Sequence, residues 1–156
     1  MLQKKRLTPE QAYQKIKHYC GYQERSHAEV KEKLYSFGLW KNDVETLLSR
    51  IIEDDYLNEE RFAKAFVGGR FRMKQWGRVK IKYELKQKQV SEYNIKKAMK
   101  EISEEDYEAA FNKLFASKLE SLSSEKNVPT RKRKMFDYML QKGYERDMIM
   151  SKLNEL

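Results

Sequence analysis

Apolar residues return along this chain at helical spacing almost from end to end. Val44, Leu47, Leu48, Ile51 and Ile52 follow the i, i+3, i+4, i+7, i+8 pattern of one buried helix face. Ile95, Ala98, Met99 and Ile102 repeat it, as do Tyr107, Ala110, Phe111, Leu114 and Phe115. Start and stop signals fall between these runs. Thr8 with Pro9 and Gln11, and Ser26 with Glu29, read as capping boxes, and Asn42 with Glu45 resembles a third. Asn58, Ser91 and Ser103 are further N-cap candidates, and Gly38 and Gly143 fit left-handed helix stops. The pattern predicts helices over about 9–22, 26–37, 42–54, 59–75, 78–88, 92–102, 104–122, 130–142 and 146–156.

Those elements repeat. Val30, Leu34, Leu39, Val44, Leu48 and Ile51 meet Ile81, Leu85, Val90, Ile95, Met99 and Ile102 at an offset of 51. A further 54 brings them to Met135, Met139, Tyr144, Ile149, Leu153 and Leu156, and every one of the eighteen positions is apolar or aromatic. The same offset of 51 pairs Ala12 with Ala63 and Ile16 with Val67, which adds an earlier helix to each unit. The expected fold class is therefore all-α: three tandem three-helix repeats, over 8–55, 56–103 and 104–156. A three-helix unit of about 50 residues buries little by itself, so the repeats are expected to stack into an elongated curved array.

Composition narrows the class further. Six Gly and two Pro are too few for many tight turns, and the aromatic share of 12% argues against a disordered tail. Cys20 is the only cysteine, which excludes an intramolecular disulfide and suits a reducing, cytoplasmic setting. Met1–Arg6 leads into no apolar region of a signal peptide, and no run approaches the ~20 apolar residues that span a bilayer, so no membrane partner is expected.

The net charge of +9 is unevenly spread. Residues 1–57 carry ten basic and nine acidic side chains, residues 58–103 thirteen and five, and residues 104–156 ten and ten. An excess confined to the middle third points to an anionic partner met at one place. Residues 70–88 hold Arg70, Arg72, Lys74, Arg78, Lys80, Lys82, Lys86 and Lys88 against the single acid Glu84, with Phe71, Trp76 and Tyr83 interleaved. Such a stretch can neutralise phosphates, or it can be a solvated helix face. Phe71 and Tyr83 are expected in the core, whereas Trp76, beside Gly77 at a turn, is the ring placed to meet a base. Arg131, Lys132, Arg133 and Lys134 open a helix, a poor place for cations electrostatically. A DNA or protein partner would explain them, and so would pairing with Asp137 or the acidic stretch 103–108.

Arg61 is expected to pair with Asp54, Asp55 or a neighbouring helix, and Phe62, Ala63, Phe66 and Val67 to be core. Tyr13, Tyr19 and Tyr22 could be core or partner-facing. Two histidines, His18 and His27, and one cysteine make no zinc cluster of the usual composition, and no phosphate-cradling glycine loop is present. No catalytic residues, metal site or cofactor are expected.

At Tyr56-Leu57-Asn58-Glu59-Glu60-Arg61-Phe62-Ala63, with Phe66 and Arg70 following, the sequence resembles the RecX family. Gly77, Ile81, Glu84, Leu85 and Val90 resemble that family's next segment, and Arg25-Ser26, Val30, Lys33-Leu34 and Gly38 its first-repeat segment. Asp55 and Gln89 stand where the family commonly has glycine. The resemblance implies tandem three-helix repeats, binding to single- or double-stranded DNA and to the RecA recombinase filament, and modulation of RecA, mostly inhibition. The alternative is a helix-turn-helix DNA-binding module that acts without a recombinase.

Overall fold

The computed structural model describes residues 6–156; the opening residues 1–5, read above for a leader, lie outside the described residues. Among the described residues there are nine α-helices and no strand: α1 (Pro9–Tyr22), α2 (His27–Ser36), α3 (Lys41–Glu53), α4 (Glu59–Lys74), α5 (Arg78–Gln87), α6 (Glu92–Met99), α7 (Glu104–Ser121), α8 (Val128–Lys142) and α9 (Arg146–Leu153).

Local chemistry starts most of them. Thr8 and Ser26 form complete capping boxes with Gln11 and Glu29. Asn58 accepts from the Arg61 N–H (2.9 Å), Ser91 from Asn94 (3.3 Å) and Ser103 from Asp106 (3.0 Å). The expected third box is absent. Trp40 is the N-cap of α3, makes no side-chain cap bond, and leaves Asn42 inside the helix. Leu39, 5% exposed, is anchored in the core one residue earlier, so the chain turns into the helix sooner than the polar signal suggested. Likewise α8 begins at Val128, where Asn127 caps it by accepting from the Thr130 N–H at 3.0 Å.

The second helix of each repeat ends on a left-handed residue at an equivalent position. Gly38 has φ 84°, Gln89 φ 62° and Gly143 φ 99°. The next residue is buried each time: Leu39, Val90 and Tyr144. Val90 and Tyr144 also close the cap by donating to Leu85 O (3.1 Å) and Met139 O (3.2 Å). Of the eighteen repeat-matched positions, fifteen are buried; Leu48 and Met99 are half-buried and only Leu156 is exposed. The periodicity therefore marks core, at about 1.5–3 kcal/mol for each large side chain fully removed from water.

Contacts divide the chain into two compact units that share out α4 and α5. The first holds the described residues up to Ala65 with Leu85–Ala98; the second holds Phe66–Glu84 with Met99–Leu156. In the first, Tyr13, Ile16, Val30, Leu34, Val44, Leu47, Ile51 and Leu57 form a continuous core. The Tyr13 hydroxyl donates to the Asp54 carboxylate. Arg61 pairs with Asp55 (3.4 Å), as the sequence suggested, and also with Glu24 (2.6 Å) just past α1; Phe62 and Ala63 are buried here, and Phe66 and Val67 in the second unit, again as expected. The core of the second unit is aromatic. Tyr107, Phe111 and Tyr144 pack with ring centroids 5.3–5.4 Å apart, and Phe111 stacks on Phe115 at 5.8 Å.

Candidate nucleic-acid interface

The turn between α4 and α5 is held by the turn between α8 and α9, within the second unit. The Gly77 N–H donates to Lys142 O (2.8 Å) and the Val79 N–H to Gly143 O (2.9 Å). The Tyr144 hydroxyl donates to Gln75 O at 3.0 Å, and Gln75 itself sits at φ 60°. A Cβ on Gly77 would overlap the Gly143 carbonyl, and one on Gly143 would overlap Lys80. Two glycine turns thus approach backbone to backbone, which fixes the single residue between Gln75 and Gly77.

That residue is Trp76. Lys80 Nζ lies 4.5 Å from the indole centroid, Arg70 Cζ 5.5 Å and Lys74 Nζ 5.7 Å. Arg70 also stacks 4.5 Å from the Phe66 ring. The ring is half-buried and serves first as a platform that gathers the protein's own cations. Lys142 reaches the same place, its Nζ donating to Lys74 O at 3.4 Å. Sequence reasoning missed it, because nothing local connects residues 68 apart in the chain. Arg72 is exposed and folds back over Gly68, where an added Cβ would sit 2.6 Å from its Nη2. Lys82 is exposed on α5. In this unit Arg70, Lys74 and Lys80 are therefore brought together, with Arg72 and Lys82 turned to solvent on the same two helices.

Other candidates are placed differently. Arg78 donates to Glu104 (2.7 Å) and Glu145 (3.1 Å) and lies 3.8 Å over the Tyr107 ring. Its backbone N–H donates to the Tyr107 oxygen at 2.9 Å. Tyr107 in turn donates to Glu145, and burial with that bond pushes its hydroxyl well above the usual phenol range. The charge of Arg78 is thus spent within the unit. In the first unit Lys86 pairs with Glu92 (3.3 Å) and Lys88 with Glu29 (3.6 Å). On α8, residues 131–134 occupy the second turn, because the helix starts earlier than predicted. Lys134 pairs with Glu125 at 3.1 Å, which with the Asn127 N–H holds that carboxyl below its usual range. Arg131 reaches Glu125 O at 3.5 Å, and Arg133 is exposed. The acid these cations meet is Glu125, not the stretch 103–108 or Asp137.

The rings also divide. Phe71 packs on Tyr107 with centroids 6.1 Å apart, half-buried. Tyr83, expected in the core, is 59% exposed. Ile81 and Leu85 are both fully buried on α5, and Tyr83 lies about 200° around the helix from each. Their packing turns it outward.

Fold and site together define a three-helix-repeat protein, all-helical among the described residues, in which Arg70, Lys74 and Lys80 gather around the Trp76 ring at one turn. A family model described as "RecX, second three-helix domain" matches residues 58–99, and the Regulatory protein RecX of Pelodictyon phaeoclathratiforme is 31% identical over 136 residues, covering 87% of this chain and 82% of that one. The chain belongs to the RecX family. The Regulatory protein RecX of Prosthecochloris aestuarii is 28% identical over 138 residues, 88% of each chain. Relatives from Bacillus cytotoxicus and Clostridium tetani are longer, and the chain spans 54% and 61% of them. Among solved structures, RecX from Lactobacillus salivarius superposes with a TM-score of 0.80 at 20% identity, covering 95% of this chain and 97% of that one.

Proposed function

We propose that the chain binds the RecA–DNA filament and regulates it, mostly by inhibiting its recombinase, ATPase and coprotease activities. The three repeats, 8–55, 56–103 and 104–156, are its units, and the basic middle repeat meets the nucleic acid. One observation carries the reading: in a member of the RecX family, nearly all of the +9 net charge lies in residues 58–103, and three of those cations, Arg70, Lys74 and Lys80, stand around the Trp76 ring at the locked α4–α5 turn. Arg70, Arg72, Lys74, Lys80 and Lys82 are the contacts the geometry favours. Arg131, Lys132 and Arg133 form a second cationic group that faces DNA or recombinase. Arg78 acts by holding the fold. A cationic track adds salt-dependent affinity without base specificity, which suits a protein that must work wherever a filament forms.

The test is a titration into the cognate RecA with DNA and ATP. Added protein suppresses DNA-dependent ATP hydrolysis at or below stoichiometric amounts. No change at excess, with sequence-selective binding to duplex DNA alone, would point instead to a helix-turn-helix module that needs no recombinase.

A further inference from the structure

The first unit carries a groove that the nucleic-acid reading leaves unused. It lies between α1 and α2, has a volume of about 520 Å³, and opens to solvent. Its walls are the rings of Tyr19, Tyr22 and Phe37, and its rim is Lys15 on α1, Arg25 just before α2 and Lys33 on α2. Tyr22 is 79% exposed, a large ring left in water at the end of a helix. Among the described residues, no carboxylate lines the groove. Arg25 is fixed in place, its Nε donating to Tyr19 O at 3.1 Å and its guanidinium stacked 3.7 Å from the Tyr19 ring. Lys33 Nζ stands 5.4 Å from the Tyr19 ring and 5.8 Å from Phe37. Two acids neighbour the groove without lining it: Glu29, already engaged by Ser26, Arg25 and Lys88, and Glu32, which lines the adjoining hollow with Tyr19 and Lys33.

We propose that this groove docks an acidic peptide segment of a partner protein, anchored by one aromatic or long aliphatic side chain. The anchor sits among the three rings, and carboxylates on either side of it meet Lys15 on one helix and Lys33 on the other. Charge complementarity sets the sign of the ligand, and concavity sets its form. A nucleic acid gains affinity by the sum of many phosphate contacts, and residues 1–57 offer a net charge of only +1 for that. One apolar hollow flanked by separated lysines matches a short peptide, read by a buried anchor and a few charges. The site stands on the first unit's geometry and is independent of whether the filament reading holds.

The experiment pans a displayed library of random short peptides on the full chain, then on Tyr22→Ala and on Lys15→Glu/Lys33→Glu, each shown by circular dichroism to be folded. The three positions are exposed, so folding is retained. The wild type enriches peptides with an aromatic or leucine flanked by Asp or Glu. The best of them, synthesised with a fluorophore, binds each variant at least about tenfold more weakly, and a short oligothymidylate does not displace it. Enrichment of peptides without acids, binding indifferent to the variants, or no enrichment at all would overturn the proposal. So would competitive displacement by the oligothymidylate, which would make the groove a nucleic-acid site.

Discussion

Asp55, Gln75 and Gln89 each hold a positive φ near 60° although each carries a side chain, and the cost is about 1 kcal/mol apiece. Gln89 makes no contact that needs its side chain in the cap, so Gln89→Gly raises stability by about 0.5–1 kcal/mol, read as a higher urea midpoint at unchanged slope. Equal or lower stability would mean that the left-handed turn at 89 is not strained. The strain at 55 and 89 was legible, because the family pattern puts glycine at both places. That at 75 was not read from the sequence: Gln75 ends α4 in a left-handed cap that Trp76 closes by donating to Arg70 O (3.1 Å), and Tyr144, 69 residues away, binds its carbonyl. Arg78 shows the same limit. In the sequence it is one cation among eight; in the fold two carboxylates and a phenol ring surround it. Arg78→Ala therefore lowers stability by about 1–3 kcal/mol in urea unfolding, while the slope of DNA binding against salt barely moves.

Helices were legible because their buried faces repeat, and their ends were legible where a side chain alone makes the cap. Where burial of a neighbour decides the start, as at Trp40, the polar signal misled. Turns that meet other turns were invisible. Gly77 illustrates this, since its importance lies in contact with the backbone of residues 142–144. Gly77→Ala costs at least about 2 kcal/mol and lowers the thermal midpoint accordingly; an unchanged midpoint would show that the two turns are not locked. Glu59, on α4, binds the start of α6, accepting from the Ser91 N–H (3.0 Å) and the Asn94 amide (2.8 Å). Burial would raise its pKa, but these bonds and nearby His27 outweigh burial and hold it below the usual carboxylate value. A depressed folded-state pKa gives stability that is complete above the unfolded value near 4.3 and lost as pH falls through the folded one. Glu59→Gln should accordingly be less stable than wild type near neutrality, with the gap closing below about pH 4. A gap constant with pH would contradict that role.

Across the molecule, charge and repeat were both plain in the sequence, but which cations are free was not. Arg78, Lys86, Lys88 and Lys134 look like Arg72 or Lys82 in a list of residues, yet each faces a carboxylate supplied from elsewhere in the fold. The groove between α1 and α2 was equally hidden, because Tyr13, Tyr19 and Tyr22 were indistinguishable until packing buried the first and exposed the last. The central claim is that the unspent cations of the middle repeat contact a polyanion. Its most direct test is oligonucleotide binding by the full chain across a salt titration, beside a variant in which Arg72, Lys74, Lys80 and Lys82 are all Ala. The plot of log affinity against log salt should become shallower by about 3 in the variant, with its urea stability intact. A folded variant that keeps the wild-type slope would show that the phosphates are held elsewhere.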